Sequence, residues 1–157
     1  MRPVVAILAV ASGLAAAQTY PVRPVRIVVP FPPGGAVDFV ARVVAQKLTE
    51  SFGQTVLVEN RAGANSAIGS QFVSQAAPDG YTLLVNASIF IYSPHLSKTP
   101  YDPLVDFTPV AFIARGALMM SVASNLPVKD VKDFVAYAKA NPDKINFAVG
   151  SVGSAGH

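Results

Sequence analysis

The chain has 157 residues, a formal net charge of +3 and a composition that is 52% hydrophobic and 13% charged, with no cysteine and no tryptophan. That length fits one ordinary domain or the front half of a two-domain protein, and abundant Val, Ile, Leu and Phe at low charge exclude disorder. Disulfides, thiolate catalysis and cysteine-ligated metals go with the cysteines, two histidines are too few for most zinc sites, and the dispersed Lys and Arg residues make no nucleic-acid footprint.

Met1-Arg2, an apolar stretch from Val4 to Leu14, and Ala15-Ala16-Ala17 before Gln18 have the layout of a secretory signal peptide over 1–17. Its apolar centre of roughly 11 residues falls short of the ~20 that a spanning helix needs. A buried N-terminal helix or membrane anchor is the alternative, and no cysteine follows to carry a lipid. Export without cysteines fits a soluble periplasmic protein.

Val25 to Pro30 is a short β-branched run, read as a buried strand, and Phe31-Pro32-Pro33-Gly34-Gly35 ends it. Val37, Val40, Ala41, Val44 and Leu48 then recur at helical spacing, with Asp38, Arg42, Gln46 and Lys47 opposite, which predicts an amphipathic helix over 36–51 closed by Gly53. A strand over 55–59, a helix over 65–76, a Pro78-Asp79-Gly80 turn and a strand over 81–85 follow. Strand and helix in alternation mean parallel crossovers and an open, mostly parallel α/β sheet. Ser93 to Pro109 carries prolines at 94, 100, 103 and 109 and reads as a connection between lobes, with His95 a loop residue on its surface. Residues 110–113 and 118–122 are strand candidates. A helix over 129–140 starts on Asp130 and Asp133, and a strand over 145–149 runs into Gly150-Ser151-Val152-Gly153-Ser154-Ala155-Gly156-His157.

A glycine-serine turn after a strand normally launches a helix, and the elements after residue 105 are too few to cover both faces of a sheet. The expectation is a first α/β lobe over 18–105 and the start of a second, incomplete lobe over 106–157; a complete small protein with a frayed tail is the alternative.

Ligands of open α/β sheets sit outside the carboxyl ends of the strands. The loop from Pro30 to Asp38 is the most specific candidate. Two prolines stiffen it, and the amides of Gly35, Ala36 and Val37 fall in the first helical turn, where they lack intrahelical partners and can hold an anion. A plain tight turn explains the same residues. Gly150-Ser151-Val152-Gly153-Ser154 repeats that chemistry with hydroxyls added, and Asn86-Ala87-Ser88 offers polar groups at a third strand end. Asp38 would repel a carboxylate at the same amides, so it is expected to point aside, bind water, or meet a ligand hydroxyl or amine. Arg61, beside Glu59-Asn60, is expected to brace its turn. No nucleophile elbow, metal-binding helix motif, Walker loop or paired catalytic carboxylates occur, so neither enzyme activity nor a cofactor nor a metal is expected.

Tyr20-Pro21, Arg26 to Gly35 and Asp38, Val58-Glu59-Asn60-Arg61, Ala77 to Leu84, Tyr101-Asp102-Pro103-Leu104 with Asp106-Phe107, and Ala136 to Pro142 together resemble the Bug family, the TctC-like periplasmic receptors of tripartite tricarboxylate transporters. The resemblance covers 20–157 in order. It implies a periplasmic-binding-protein-like fold of type II, with two α/β lobes closing on a small organic carboxylate, a mature chain about twice this length, and a membrane transporter as partner. The receptor is expected to be a monomer. Position by position it implies ligand contacts from Phe31, Gly34, Gly35, Ala36 and Asp38, and from Ser151, Gly153, Ser154 and His157, beside the Asn86 and Ser88 read from the strand end. The sequence departs from the family at Arg61-Ala62-Gly63-Ala64-Asn65-Ser66, where Arg-Pro-Gly-Ala-Gly-Gly is usual, and at Ser93-Pro94-His95-Leu96-Ser97, where Asn-Pro-x-Leu-Tyr is usual. A sensor feeding a signalling partner, or an α/β enzyme cradling a phosphate or nucleotide, are the rival functions.

Overall fold

The computed structural model describes residues 20–150 and Ser154. The proposed signal peptide and Ser151, Gly153 and His157 therefore lie outside the described residues. Strand β1 (Val25–Val29) is central in a parallel sheet, flanked by β2 (Val56–Asn60) and β3 (Thr82–Leu84), in the order β2-β1-β3. Val25 pairs with Val56 on one side, and Arg26 with Thr82 on the other. Val25, Ile27, Val28 and Val29 are all at most 1% exposed, as expected of a strand covered on both faces.

Helix α1 (Ala36–Phe52) covers the face formed by Val25, Ile27 and Val29, inserting Ala41 and Ala45 with Val37, Val44 and Leu48 around them. Each fully buried Val or Ile side chain here contributes roughly 1.5–3 kcal/mol. The helix stops at Gly53 in the left-handed conformation, φ 65°, whose N–H bonds Thr49 O at 3.1 Å. The Thr49 hydroxyl donates to Ala45 O and accepts from Val56 N–H at 3.0 Å, which ties the end of α1 to the start of β2.

Helix α2 (Ala67–Ser74) covers the opposite face and is shorter than the predicted 65–76. Ala64, Asn65 and Ser66 hold φ of 47°, 51° and 73°, so the chain cannot turn helical before Ala67. Gly69 is required where α2 meets the sheet, because a Cβ there would lie 2.7 Å from Pro30 and 2.8 Å from Arg61 O.

Helix α3 (Ile89–Leu96) was not anticipated: its span begins in an unassigned stretch and ends inside the proline-rich connection, with Pro94 within it. Pro94 has no N–H to offer Phe90 O. The Tyr101 hydroxyl supplies the missing donor, at 3.2 Å. Tyr101 stacks on the Phe90 ring with 5.2 Å between centroids, and Phe107 meets both rings edge-on. This aromatic knot ties the connection back onto α3, and His95 sits exposed in the last turn of α3 rather than in a loop.

The strand candidates at 110–113, 118–122 and 145–149 form no ladder among the described residues, and Val110, Phe112, Met119 and Phe147 stand exposed. β-Propensity reflects a pleated, paired environment, and without a neighbouring strand it specifies nothing. Helix α4 (Val131–Ala140) does form as read. The Asp130 side chain caps Asp133 N–H at 2.8 Å, and Asp133 reaches back to Lys129 N–H at 3.2 Å. No described helix is long and apolar enough to cross a membrane.

Candidate functional site

The order β2-β1-β3 places a topological switch point between β1 and β3: the crossover leaving β1 runs to one side of the sheet and the strand entered last lies on the other. Crevices form at the carboxyl ends of such strand pairs. Two loops leave the sheet there, Pro30 to Gly35 leading into α1, and Asn86 to Ser88 leading into α3.

In the first loop, Pro30 is buried and Phe31 packs on the core, while Pro32 to Ala36 are exposed. Gly34 adopts φ +87°, and nothing lies within 4 Å of where a Cβ would project, so backbone conformation rather than space calls for glycine. Gly35 is the N-cap of α1 and offers no capping side chain. The first intrahelical bond runs from Phe39 N–H to Gly35 O, and the N–H groups of Ala36 and Val37 have no acceptor among the described residues. These open donors sit at the positive end of a 17-residue helix.

Asp38 does not face out of the loop. It is 3% exposed, with Oδ2 accepting from Gly34 N–H at 2.8 Å and from Arg42 Nε at 2.9 Å, and Oδ1 accepting from Asn60 Nδ2 at 2.8 Å. Asn60 Nδ2 also donates to Phe31 O at 3.1 Å, and Arg42 Nη2 closes the ring on Asn60 Oδ1 at 3.0 Å. The Arg42 guanidinium, then the Gly34 amide and the Asn60 amide, hold the Asp38 carboxyl well below the usual carboxylate range, outweighing the opposing effect of burial. Asp38 in turn raises Arg42. The carboxylate points aside, the first of the courses expected of it, and shapes the glycine loop from behind. The conflict with an anion at the same helix end is resolved, because Arg42 neutralises the charge in place.

Asn86 is likewise turned inward. Its Nδ2 donates to Ser70 Oγ at 3.1 Å, Ser70 donates onward to Ser66 O at 2.8 Å, and Asn86 Oδ1 accepts from Ala87 N–H at 2.8 Å. Ser88 is exposed at the N-cap of α3, and its hydroxyl makes no capping bond. The structure thus brings Phe31, Gly34, Gly35 and Ala36 to the same sheet edge as Ser88, with Asp38 and Asn86 as braces, and leaves Ser154 half-buried in a segment of which its neighbours are not described. Arg61 braces as expected: its Nε bonds Glu59 at 2.6 Å, Arg26 lies 3.3 Å from the same carboxylate, and the Arg61 guanidinium sits 3.6 Å above the Phe72 ring. Sequence reasoning missed Arg42, Asn60 and Ser70. The i,i+4 spacing of Asp38 and Arg42 was a usable signal; the reach of Asn60 across from β2 had none.

Against known proteins, residues 40–157 match the family described as "Tripartite tricarboxylate transporter family receptor". Protein BugT of Bordetella pertussis is 39% identical over 160 residues, spanning 98% of this chain and 49% of that protein. Among solved structures, Rpa4515 of R. palustris with adipate superposes with a TM-score of 0.78 at 36% identity, covering 86% of this chain and 46% of that one. MatC of Rhodopseudomonas palustris with bound malate gives 0.71 at 34% identity, covering 87% and 47%. The chain spans about half the length of the curated relatives it matches. The family match over most of the chain, joined to a parallel α/β sheet shared with periplasmic binding proteins, means that this chain belongs to the TctC family of tripartite tricarboxylate transporter receptors.

Proposed function

We propose that the protein is a solute receptor that captures a small organic carboxylate at the carboxyl edge of β1 and β3 and passes it, unchanged, to a membrane transporter. The observation that carries this reading is the open first turn of α1, with the Ala36 and Val37 amides unpaired among the described residues, in front of an Asp38 already neutralised by Arg42. The relatives of known structure support it, one holding adipate and another malate, both dicarboxylates. Residues 18–105 form the first lobe and 106–157 begin the second. The second lobe supplies Ser151, Gly153, Ser154 and His157 when the lobes close, and residues 1–17 direct a monomeric receptor to the periplasm. Capture and release of this kind require no reaction and no cofactor.

Charge-assisted hydrogen bonds of ~1.5–3 kcal/mol each, less the cost of ordering the partners, suffice for capture near ~1 μM, which requires about 8 kcal/mol in all. Titration calorimetry with adipate, malate and the neutral diamide of adipate tests the reading. Heat from either dicarboxylate and none from the diamide is expected; silence across all dicarboxylates refutes it.

A further inference from the structure

A second cleft, of about 600 Å³, opens between the start of α2 and the segment from Ser93 to Pro100. Its size is that of a small-molecule site. No residue of the β1–α1 loop lines it, so a ligand held there would be independent of the receptor reading.

Three of its lining side chains have polar groups with no hydrogen-bond partner among the described residues. Ser93 is 4% exposed, and its hydroxyl has no hydrogen-bond partner among the described residues. Buried polar atoms are normally satisfied, so an orphan in the wall of a cleft calls for an explanation. Lys98 is exposed and joins no ion pair among the described residues. The Gln71 side-chain amide makes no hydrogen bond there, while its backbone oxygen accepts from Ser74 and Gln75. No acidic residue lines the cleft. An ammonium and a carboxamide with no carboxylate beside them are complementary to an oxyanion.

We propose that this cleft is a second small-anion site, taking one carboxylate or phosphate group, with Lys98 supplying the charge and the Gln71 amide a hydrogen bond. The test is amide chemical-shift mapping of the isotope-labelled chain titrated with succinate, with inorganic phosphate, and with sodium chloride at matched ionic strength. Saturable shifts at 67–71 and 93–99 are expected with succinate, phosphate or both, and the responding salt tells which oxyanion the site takes. Lys98→Gln should weaken that binding about tenfold, and Lys98→Arg should retain it. Shifts no larger than those from sodium chloride, or unchanged affinity in Lys98→Gln, overturn the proposal. Saturable shifts confined to 34–38 overturn it as well, while leaving the receptor reading standing.

Discussion

Replacing Ala36 with proline isolates one main-chain donor. Ala36 is the first helical residue of α1, exposed, and its N–H has no acceptor among the described residues. Proline is favoured at that helical position, where its missing N–H belongs to no helical bond. The residue before it, Gly35, has φ −78° and ψ 169°, the extended geometry that a following proline prefers. The fold should therefore tolerate Ala36→Pro, with the melting temperature unchanged or raised, because proline restricts the unfolded chain by ~0.4–1 kcal/mol. Binding should suffer. One charge-assisted hydrogen bond of ~1.5–3 kcal/mol is removed, a loss of about tenfold to 150-fold in affinity for adipate or malate. Calorimetry and thermal melts on the same samples separate the two effects. Unchanged affinity with an intact melt would show that the first-turn amides do not hold the ligand.

Asp38 gives a pH signature. Its folded-state pKa is depressed, so its stabilisation is present above the ordinary carboxylate value of ~3.9 and is lost as pH falls below it towards the folded pKa. Chemical denaturation of Asp38→Asn should show a flatter acid slope below that value than the parent chain; an identical slope would refute the network. Ser66→Gly should stabilise the chain by about 1 kcal/mol, since Ser66 holds φ 73° with an orphaned buried hydroxyl, and a lowered melting temperature would contradict the strain. Tyr101→Phe should cost ~0.5–1.5 kcal/mol by stripping Phe90 O of its donor. In a Pro94→Ala background the helix can supply that donor itself, so the cost should shrink, and a double-mutant cycle with no coupling would refute the compensation.

The departures from the sequence reading have a common origin. The α1 boundary, the Gly53 stop and the Asp130 cap are local devices, decided by residues within one or two turns of each other, and each was legible. Helix α3 was hidden because Pro94 reads as a breaker, and the hydroxyl that makes it tolerable comes from Tyr101, beyond the helix end. The left-handed run at 64–66, which shortens α2, carries two residues other than Asn or Gly and gave no sequence cue. Strand candidates after residue 108 had the right composition and, among the described residues, no ladder to join.

Periodicity and turn chemistry alone determined the alternation of strands and helices, the parallel sheet, and the glycine loop at a helix start, because each depends on near neighbours along the chain. Tertiary structure decided what Asp38 and Asn86 do. Asp38 stands in the first turn of α1 and Asn86 in the loop after β3, both beside the crevice, yet Arg42, Asn60 and Ser70 draw their polar atoms inward. The direction a polar side chain takes depends on which partners the sheet order brings within 3 Å, and that order is written in the packing of β2, β1 and β3 rather than in any stretch of sequence.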